Sequence, residues 1–168
     1  MTTCWRTLTG NERSQAESAV ERRRWQVFID TSALIAGILS PTGAAHEVLR
    51  LCEAQVVQAV MSRQVLVETD RNLADKLPAL LPDYRAFLKH LAPRIAADPP
   101  RASVERAKEL IHHNDAPILA AALLADVDYL VTWNTRHFQK KVVRDAAPFP
   151  IVTPGEFLEA FRQAILND

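Results

Sequence analysis

A surplus of charge of either sign is missing: twenty basic side chains are matched by twenty acidic ones among 168 residues. Without a global positive field the chain as a whole is not drawn onto nucleic acid, so any such contact has to be local. Cysteine is scarce too. Cys4 and Cys52 stand far apart, with no C-x-x-C pair and no evenly spaced framework, which argues against a disulfide scaffold and suits a reducing cytoplasm. Long apolar runs are absent as well. The longest, Ala116 to Ala125, falls far short of the roughly 20 residues a membrane span requires, and the N-terminal stretch lacks the apolar core of a signal peptide. No internal repeat and no low-complexity tract occurs. These absences predict a soluble intracellular protein. What is present is apolar substance, 48% of the chain, which at this length suffices for one well-buried core and not for two.

Residues 1–24 are polar and end in Arg22, Arg23 and Arg24; they read as a solvated N-terminal arm, and residues 25–168 as the domain. From Val27 onward strands and helices alternate. "VFI" is a short buried strand followed by a helix over "SALIAGIL", and "AAHEVLRLCEA" is a second helix before the strand "VVQAVM". Ser62 can cap the next helix, with Leu66, Leu73 and Leu77 as its apolar stripe. A helical piece over Tyr84 to Leu91 leads to "APRIAADPP", a loop with room for a short strand, and Ser103 can cap "VERAKELI". Asn114 or Asp115 can cap the apolar helix that follows, with Pro117 in its first turn, where a missing N–H costs nothing. "VDYLVT" and "FPIV" are the last strands, and Thr153 and Glu156 stand in the capping-box relation ahead of a helix facing inward with Phe157, Phe161 and Ile165. The alternation implies βαβ units, a mostly parallel sheet and helices on both faces, an α/β/α sandwich of three layers. In such sheets ligands bind outside the carboxyl ends of the strands. Asp30 after the first strand and Thr132 to Asn134 after "DYLV" fall at that edge.

Asp30 directly follows three apolar strand residues and precedes Thr31 and Ser32. A carboxylate so placed can bind a hard cation, or it can simply cap the helix that starts near Ser32. Asp115 carries the same two readings, but it heads the most apolar segment of the chain rather than a wet surface helix. Glu68 lies off the leucine stripe, where a helical glutamate is ordinarily solvated. Two carboxylates about 5 Å apart repel by on the order of 3 kcal/mol at an effective dielectric near 20, so a cluster of these three would need a cation. Oxygen ligands alone would select Mg²⁺ or Mn²⁺ over zinc. His112 and Asp115 at i, i+3 could hold a transition metal, although two adjacent histidines before a helix are more often a solvated loop. "WNTRHFQKK" offers Arg136, Lys140, Lys141 and a stackable Trp133 to a single strand of RNA, or is a solvated basic loop. Arg22 to Arg24 carry the same pair of readings.

The order "VFIDTSALIAGILSPTG", "SRQVLVETDRNL", "NDAPILAAALLADVDYLVTWNTRHF" resembles the PIN-domain ribonucleases, including VapC-type toxins of toxin-antitoxin pairs. In that family the first strand ends in Asp-Thr, a Glu sits on the helix after the second strand, and an Asp heads a helix leading into "D-Y-L-V-T". The likeness runs from about Val27 to Phe138, with fitting ends to roughly Phe161. It implies a PIN-like fold, an acidic site of Asp30, Glu68 and Asp115 binding Mg²⁺ or Mn²⁺, and cleavage of single-stranded or structured RNA. It further implies an antitoxin partner and a homodimer. Where many members carry a fourth acid this chain has Asn134, which could hold water or metal through its carbonyl, and His137 replaces another frequent acid. Thr31, Ser32 and Thr132 read mostly as strand-end caps.

Three functions compete on these residues. The first is a metal-dependent endoribonuclease, with Asp30, Glu68, Asp115 and Asn134 as its working residues. The second is a catalytically weak PIN-like module that binds RNA or protein. The third is an aspartyl phosphotransferase, which usually has a second acid where this chain has Ser32.

Overall fold

The computed structural model describes residues 23–167. The polar arm read over residues 1–24 therefore lies outside the described residues, except for Arg23 and Arg24. Neither of those reaches toward the sheet edge that holds Asp30. Arg23 pairs with Asp126 and Asp128 at 3.4 Å, and Arg24 bonds Gln55 at 2.9 Å, at the opposite end of the first strand.

Five strands form one sheet in the order β3-β2-β1-β4-β5: β1 Gln26–Ile29, β2 Gln58–Met61, β3 Arg94–Ile95, β4 Tyr129–Val131 and β5 Ile151–Val152. All four pairings are parallel, so the sheet is more regular than the mostly parallel expectation. Val27, Phe28, Ile29, Ala59, Val60, Met61, Leu130 and Val131 are all buried. Consecutive strand residues point to opposite faces, so this continuous burial means helices cover both faces of the central strands. That is why these strands read as apolar runs and not as alternations.

The helices are α1 Thr31–Leu39, α2 Ala44–Glu53, α3 Arg63–Lys76, α4 Leu81–Leu91, α5 Arg101–Lys108, α6 Ala116–Leu124, α7 Thr135–Phe138, α8 Lys141–Ala146 and α9 Pro154–Leu166. A single 3₁₀ turn, Pro78–Leu80, joins α3 to α4. α1 and α2 cross closely: a Cβ on Gly37 would stand 2.5 Å from Leu49 Cδ1 and 3.0 Å from the Ala45 carbonyl oxygen. Trp25, Tyr129, Phe157 and Phe161 form an aromatic cluster, with centroid separations of 5.0 to 6.2 Å, that pins α9 near the start of the sheet.

Several sequence expectations shift. The buried stripe of α3 is Val65, Thr69 and Leu73, not Leu66, Leu73 and Leu77. Thr69 enters the core because its hydroxyl donates to the Val65 carbonyl at 2.8 Å, while Leu77 lies beyond the last turn and is exposed. α5 starts at Arg101, with Pro100 and not Ser103 at its N-cap. Ile165, expected to face inward, is 59% exposed near the end of α9. "WNTRHFQKK", read as a loop, contains α7 and the start of α8. The capping box of Thr153 and Glu156 is present, and hydrogen bonds from the Thr153 backbone hold the Glu156 carboxyl below its ordinary range.

The chain builds β1, β2 and β3 outward in one direction and then returns to place β4 on the other side of β1. The order reverses between β1 and β4, and such a switch point opens a crevice at the carboxyl ends of the two strands.

Candidate active site at the carboxyl edge of the sheet

Asp30 leaves β1 at that crevice and retains 3% exposure. Three hydrogen bonds converge on one of its oxygens, Oδ2. The Ser32 hydroxyl donates at 2.6 Å, the Thr132 hydroxyl at 2.7 Å and the Ser32 backbone N–H at 3.4 Å. Oδ1 receives none of them. No Lys or Arg pairs with Asp30 among the described residues, and burial lifts its carboxyl above the ordinary range against the pull of the hydroxyls. Asp30 is thus a helix cap, as one sequence reading has it. It is also a buried carboxyl with one oxygen free of hydrogen bonds and no Lys or Arg partner among the described residues, which an ordinary cap is not.

Ser32 and Thr132 do more than cap. The two hydroxyls lie 3.2 Å apart, Ser32 Oγ accepts from the Trp133 N–H at 2.9 Å, and Thr132 Oγ1 accepts from the Asn134 N–H at 2.9 Å. Together they clasp the end of β1 to the end of β4 and fix the Asp30 carboxylate between them. Thr31 points elsewhere, and its hydroxyl donates to Glu68 Oε2 at 3.0 Å. Gln64, one turn earlier on α3, donates to Glu68 Oε1 at 2.9 Å. Glu68 is therefore half-buried and held at both oxygens beside the residue that follows Asp30. It is not the freely solvated helical glutamate that its position in the sequence suggests.

Asp115 occupies the N-cap position of α6, yet its side chain accepts no capping hydrogen bond. It turns to α7 instead. Asn134 Nδ2 donates to Asp115 Oδ1 at 3.3 Å, and His137 Nδ1 lies 2.5 Å from Asp115 Oδ2, within hydrogen-bond distance. The short helix α7 makes this possible by placing positions 134 and 137 on one side. Asp115 and Glu68 line one groove of about 520 Å³, on whose wall Arg71 adds a guanidinium.

A chain of contacts thus links the four expected residues: Glu68 to Thr31, Thr31 to its neighbour Asp30, Asp30 through Thr132 to Asn134, and Asn134 to Asp115. Their oxygens do not close into one tight cage. Among the described residues, one set of three His, Cys, Asp or Glu side chains offers ligand atoms all within 4.8 Å of one another, and it is His112, Asp115 and His137. Sequence reasoning paired His112 with Asp115 and marked His137 as replacing a frequent acid, but did not join His137 to that pair, from which it is 22 residues away at Asp115. It also missed Arg71. The periodicity of α7, with Asn134 and His137 at i, i+3, was the available signal. In the basic segment Trp133 is 46% exposed, and Lys141 is taken up by Asp145 at 2.5 Å. Arg136 and Lys140 have no ion pair among the described residues.

The sequence profile of the PIN domain family matches residues 26–136, about two thirds of the chain. The chain belongs to the PIN domain family. Solved structures share its fold. FitAcB from Neisseria gonorrhoeae aligns with a TM-score of 0.52 at 17% identity, over 76% of this chain and 97% of that one. VapBC2 from Rickettsia felis, solved bound to a DNA fragment from its promoter, aligns at 0.51 and 17%, over 76% and 96%. PAE2754 from Pyrobaculum aerophilum aligns at 0.50 and 19%, over 80% and 88%. Comparison with curated protein sequences gives no match. This PIN domain is VapC-like in fold, and PIN domains are generally nucleases. No helix among the described residues is long and apolar enough to cross a membrane.

The donor set of the PIN domain suits a divalent cation. Asp30 is buried, without a Lys or Arg partner among the described residues and with one oxygen free of hydrogen bonds; Glu68 is held by Thr31, the next residue; and Asp115 makes no cap and turns to Asn134 and His137. An ion would relieve the cost of keeping Asp30 ionised, which no Lys or Arg among the described residues does.

Proposed function

We propose that this PIN domain is a metal-dependent endoribonuclease that hydrolyses RNA phosphodiester bonds in the cytoplasm, as the homodimeric toxin of a toxin-antitoxin pair. The environment of Asp30 carries this reading: its carboxyl is buried, no Lys or Arg among the described residues pairs with it, and its hydrogen bonds all fall on one oxygen, which leaves the other for an ion. Asp30, Glu68 and Asp115 would hold Mg²⁺ or Mn²⁺. When bound, such an ion supplies Lewis-acid stabilisation of the charge that develops on phosphoryl oxygens. Ser32 and Thr132 hold the Asp30 carboxylate by Oδ2 and keep it from turning, which would leave Oδ1 for the ion. Glu68, fixed by Gln64 and Thr31, would bind the ion or orient the attacking water, and Asn134, bonded to Asp115, would hold a water on the ion. Arg71 faces the groove as a partner for a phosphodiester, and Trp133 with Arg136 and Lys140 gives a single strand a ring to stack on and charge to follow. Family relatives solved with a partner antitoxin or promoter DNA support the toxin reading by analogy alone.

The test is cleavage of RNA by the purified chain with Mg²⁺ or Mn²⁺, abolished by EDTA and by Asp30→Asn. Cleavage that proceeds undiminished in excess EDTA would refute it.

One observation favours a second reading, a PIN domain that binds RNA or protein with little turnover. Both Asp115 oxygens already have partners, in Asn134 and His137, at the positions where family members often carry acids. RNA binding without Mn²⁺ binding at millimolar concentration, measured by titration calorimetry, would select it.

A further inference from the structure

Five histidines occur in the chain, and the fold brings two of them to one carboxylate. His112 arrives from the turn before α6 and His137 from α7. The two rings lie nearly flat on one another, with centroids 5.2 Å apart and 15° between planes. Asp115 completes the set, one ligand atom from each residue lying within 4.8 Å of the others. The two histidines are far apart in sequence, so only the tertiary fold unites them.

We propose that His112, Asp115 and His137 form a two-imidazole, one-carboxylate site for a borderline transition ion of the Zn²⁺ or Co²⁺ class. The inference rests on the reading of this edge as a metal centre, and adds a second set of ligands that shares Asp115 with the Mg²⁺ or Mn²⁺ set proposed above. Magnesium is poorly served by imidazole, whereas zinc, cobalt and nickel favour mixed nitrogen and oxygen ligands. Ligands at about 2.0–2.2 Å from a tetrahedral ion stand roughly 3.4 Å apart. His112 is exposed and His137 half-buried, so modest side-chain rotation brings the three atoms to that spacing. Two of the three ligand atoms, His137 Nδ1 and Asp115 Oδ2, already face one another at 2.5 Å. A fourth ligand is at hand. The Asn134 amide lies 3.3 Å from Asp115 Oδ1 and 3.4 Å from His137 Nδ1, and half a turn of that amide presents its oxygen in place of its nitrogen. His113, although adjacent to His112, is not part of the set and serves as a control.

The experiment titrates the untagged chain with Co²⁺ and follows its visible absorption, with Zn²⁺ and Mg²⁺ as competitors. One Co²⁺ per chain is expected, displaced by Zn²⁺ and not by a large excess of Mg²⁺. His112→Ala and His137→Ala should each weaken binding by at least about tenfold, while His113→Ala and Asp30→Asn retain it. Equal weakening by His113→Ala would reveal adventitious binding to neighbouring histidines and overturn the proposal. So would loss of binding in Asp30→Asn with none in the two ligand variants, or no Co²⁺ binding at all. Mg²⁺-dependent RNA cleavage by a chain whose Co²⁺ binding survives both ligand substitutions would remove this inference and leave the nuclease reading intact.

Discussion

Replacing Asp30 by asparagine separates the two roles its position allows. Asparagine has nearly the same shape and caps helices as well as aspartate does. Its side-chain oxygen can take the place of Oδ2 and keep the Ser32 and Thr132 donors. Only the charge is lost. Because burial outweighs the hydroxyls and raises the Asp30 carboxyl, the ionised form is a net burden on the native state without metal. A buried polar group left without a partner costs about 1–3 kcal/mol. The lost attraction between the carboxylate and the N-terminus of α1, about 0.3–1 kcal/mol, works the other way. The expected net effect of Asp30→Asn is a gain of about 1 kcal/mol, or about 2–4 °C in Tm for a domain of this size, in urea or thermal melts at pH 7 in EDTA. With Mn²⁺ the order should reverse, because a ligand at a hundred times its Kd stabilises the wild type by about 2.7 kcal/mol and the variant, lacking one ligand, by less. The pH dependence has a definite sign. The native state holds the Asp30 proton more tightly than the unfolded chain, so the penalty is absent below the ordinary carboxylate pKa of 3.8 and develops as pH rises through the raised native value. The advantage of the variant should therefore shrink on acidification. A variant less stable than wild type by 1 kcal/mol or more in EDTA would show that Asp30 is a structural cap and that the reasoning fails.

Two further substitutions or modifications probe the scaffold. Gly37→Ala should lower stability by about 1 kcal/mol in chemical denaturation, because the added methyl meets Leu49 and the Ala45 carbonyl. Overpacking of about 1–3 kcal/mol then exceeds the gain in helix propensity of about 1 kcal/mol; an unchanged midpoint would mean that α1 and α2 move apart freely. The Cys52 thiol, buried and pushed up to about 12 by desolvation, should resist alkylation at pH 8 in the native chain and react once urea unfolds it. Peptide mass spectrometry reads that residue separately from Cys4.

The sheet and its order of elements were legible because each central strand is covered on both sides, which writes an unbroken apolar run into "VFI" and "YLV". Asp30 stood out for the same reason, as an acid ending such a run. Asp115 was ambiguous since a cap and a ligand look alike in sequence; only the direction of its side chain, toward Asn134 and His137, separates them. Glu68 was the least legible. Its placement depends on how α3 crosses the end of α1, through the Thr31 and Gln64 contacts, and no local pattern encodes that crossing. The misread stripe of α3 has a similar origin, because a threonine that bonds its own helix can be buried where a polar residue is expected outside. The histidine pair was invisible because its members approach only after β4 is laid beside β1.

The Ser32 hydroxyl joins two parts of the molecule that would otherwise be adjusted separately. It donates to the acid that ends β1 and accepts from the backbone of the exposed Trp133 after β4. Anything that settles on the indole and draws its peptide outward pulls on the same oxygen that steers Asp30. Rim and crevice thus meet at a single oxygen, two hydrogen bonds apart, with no helix between them.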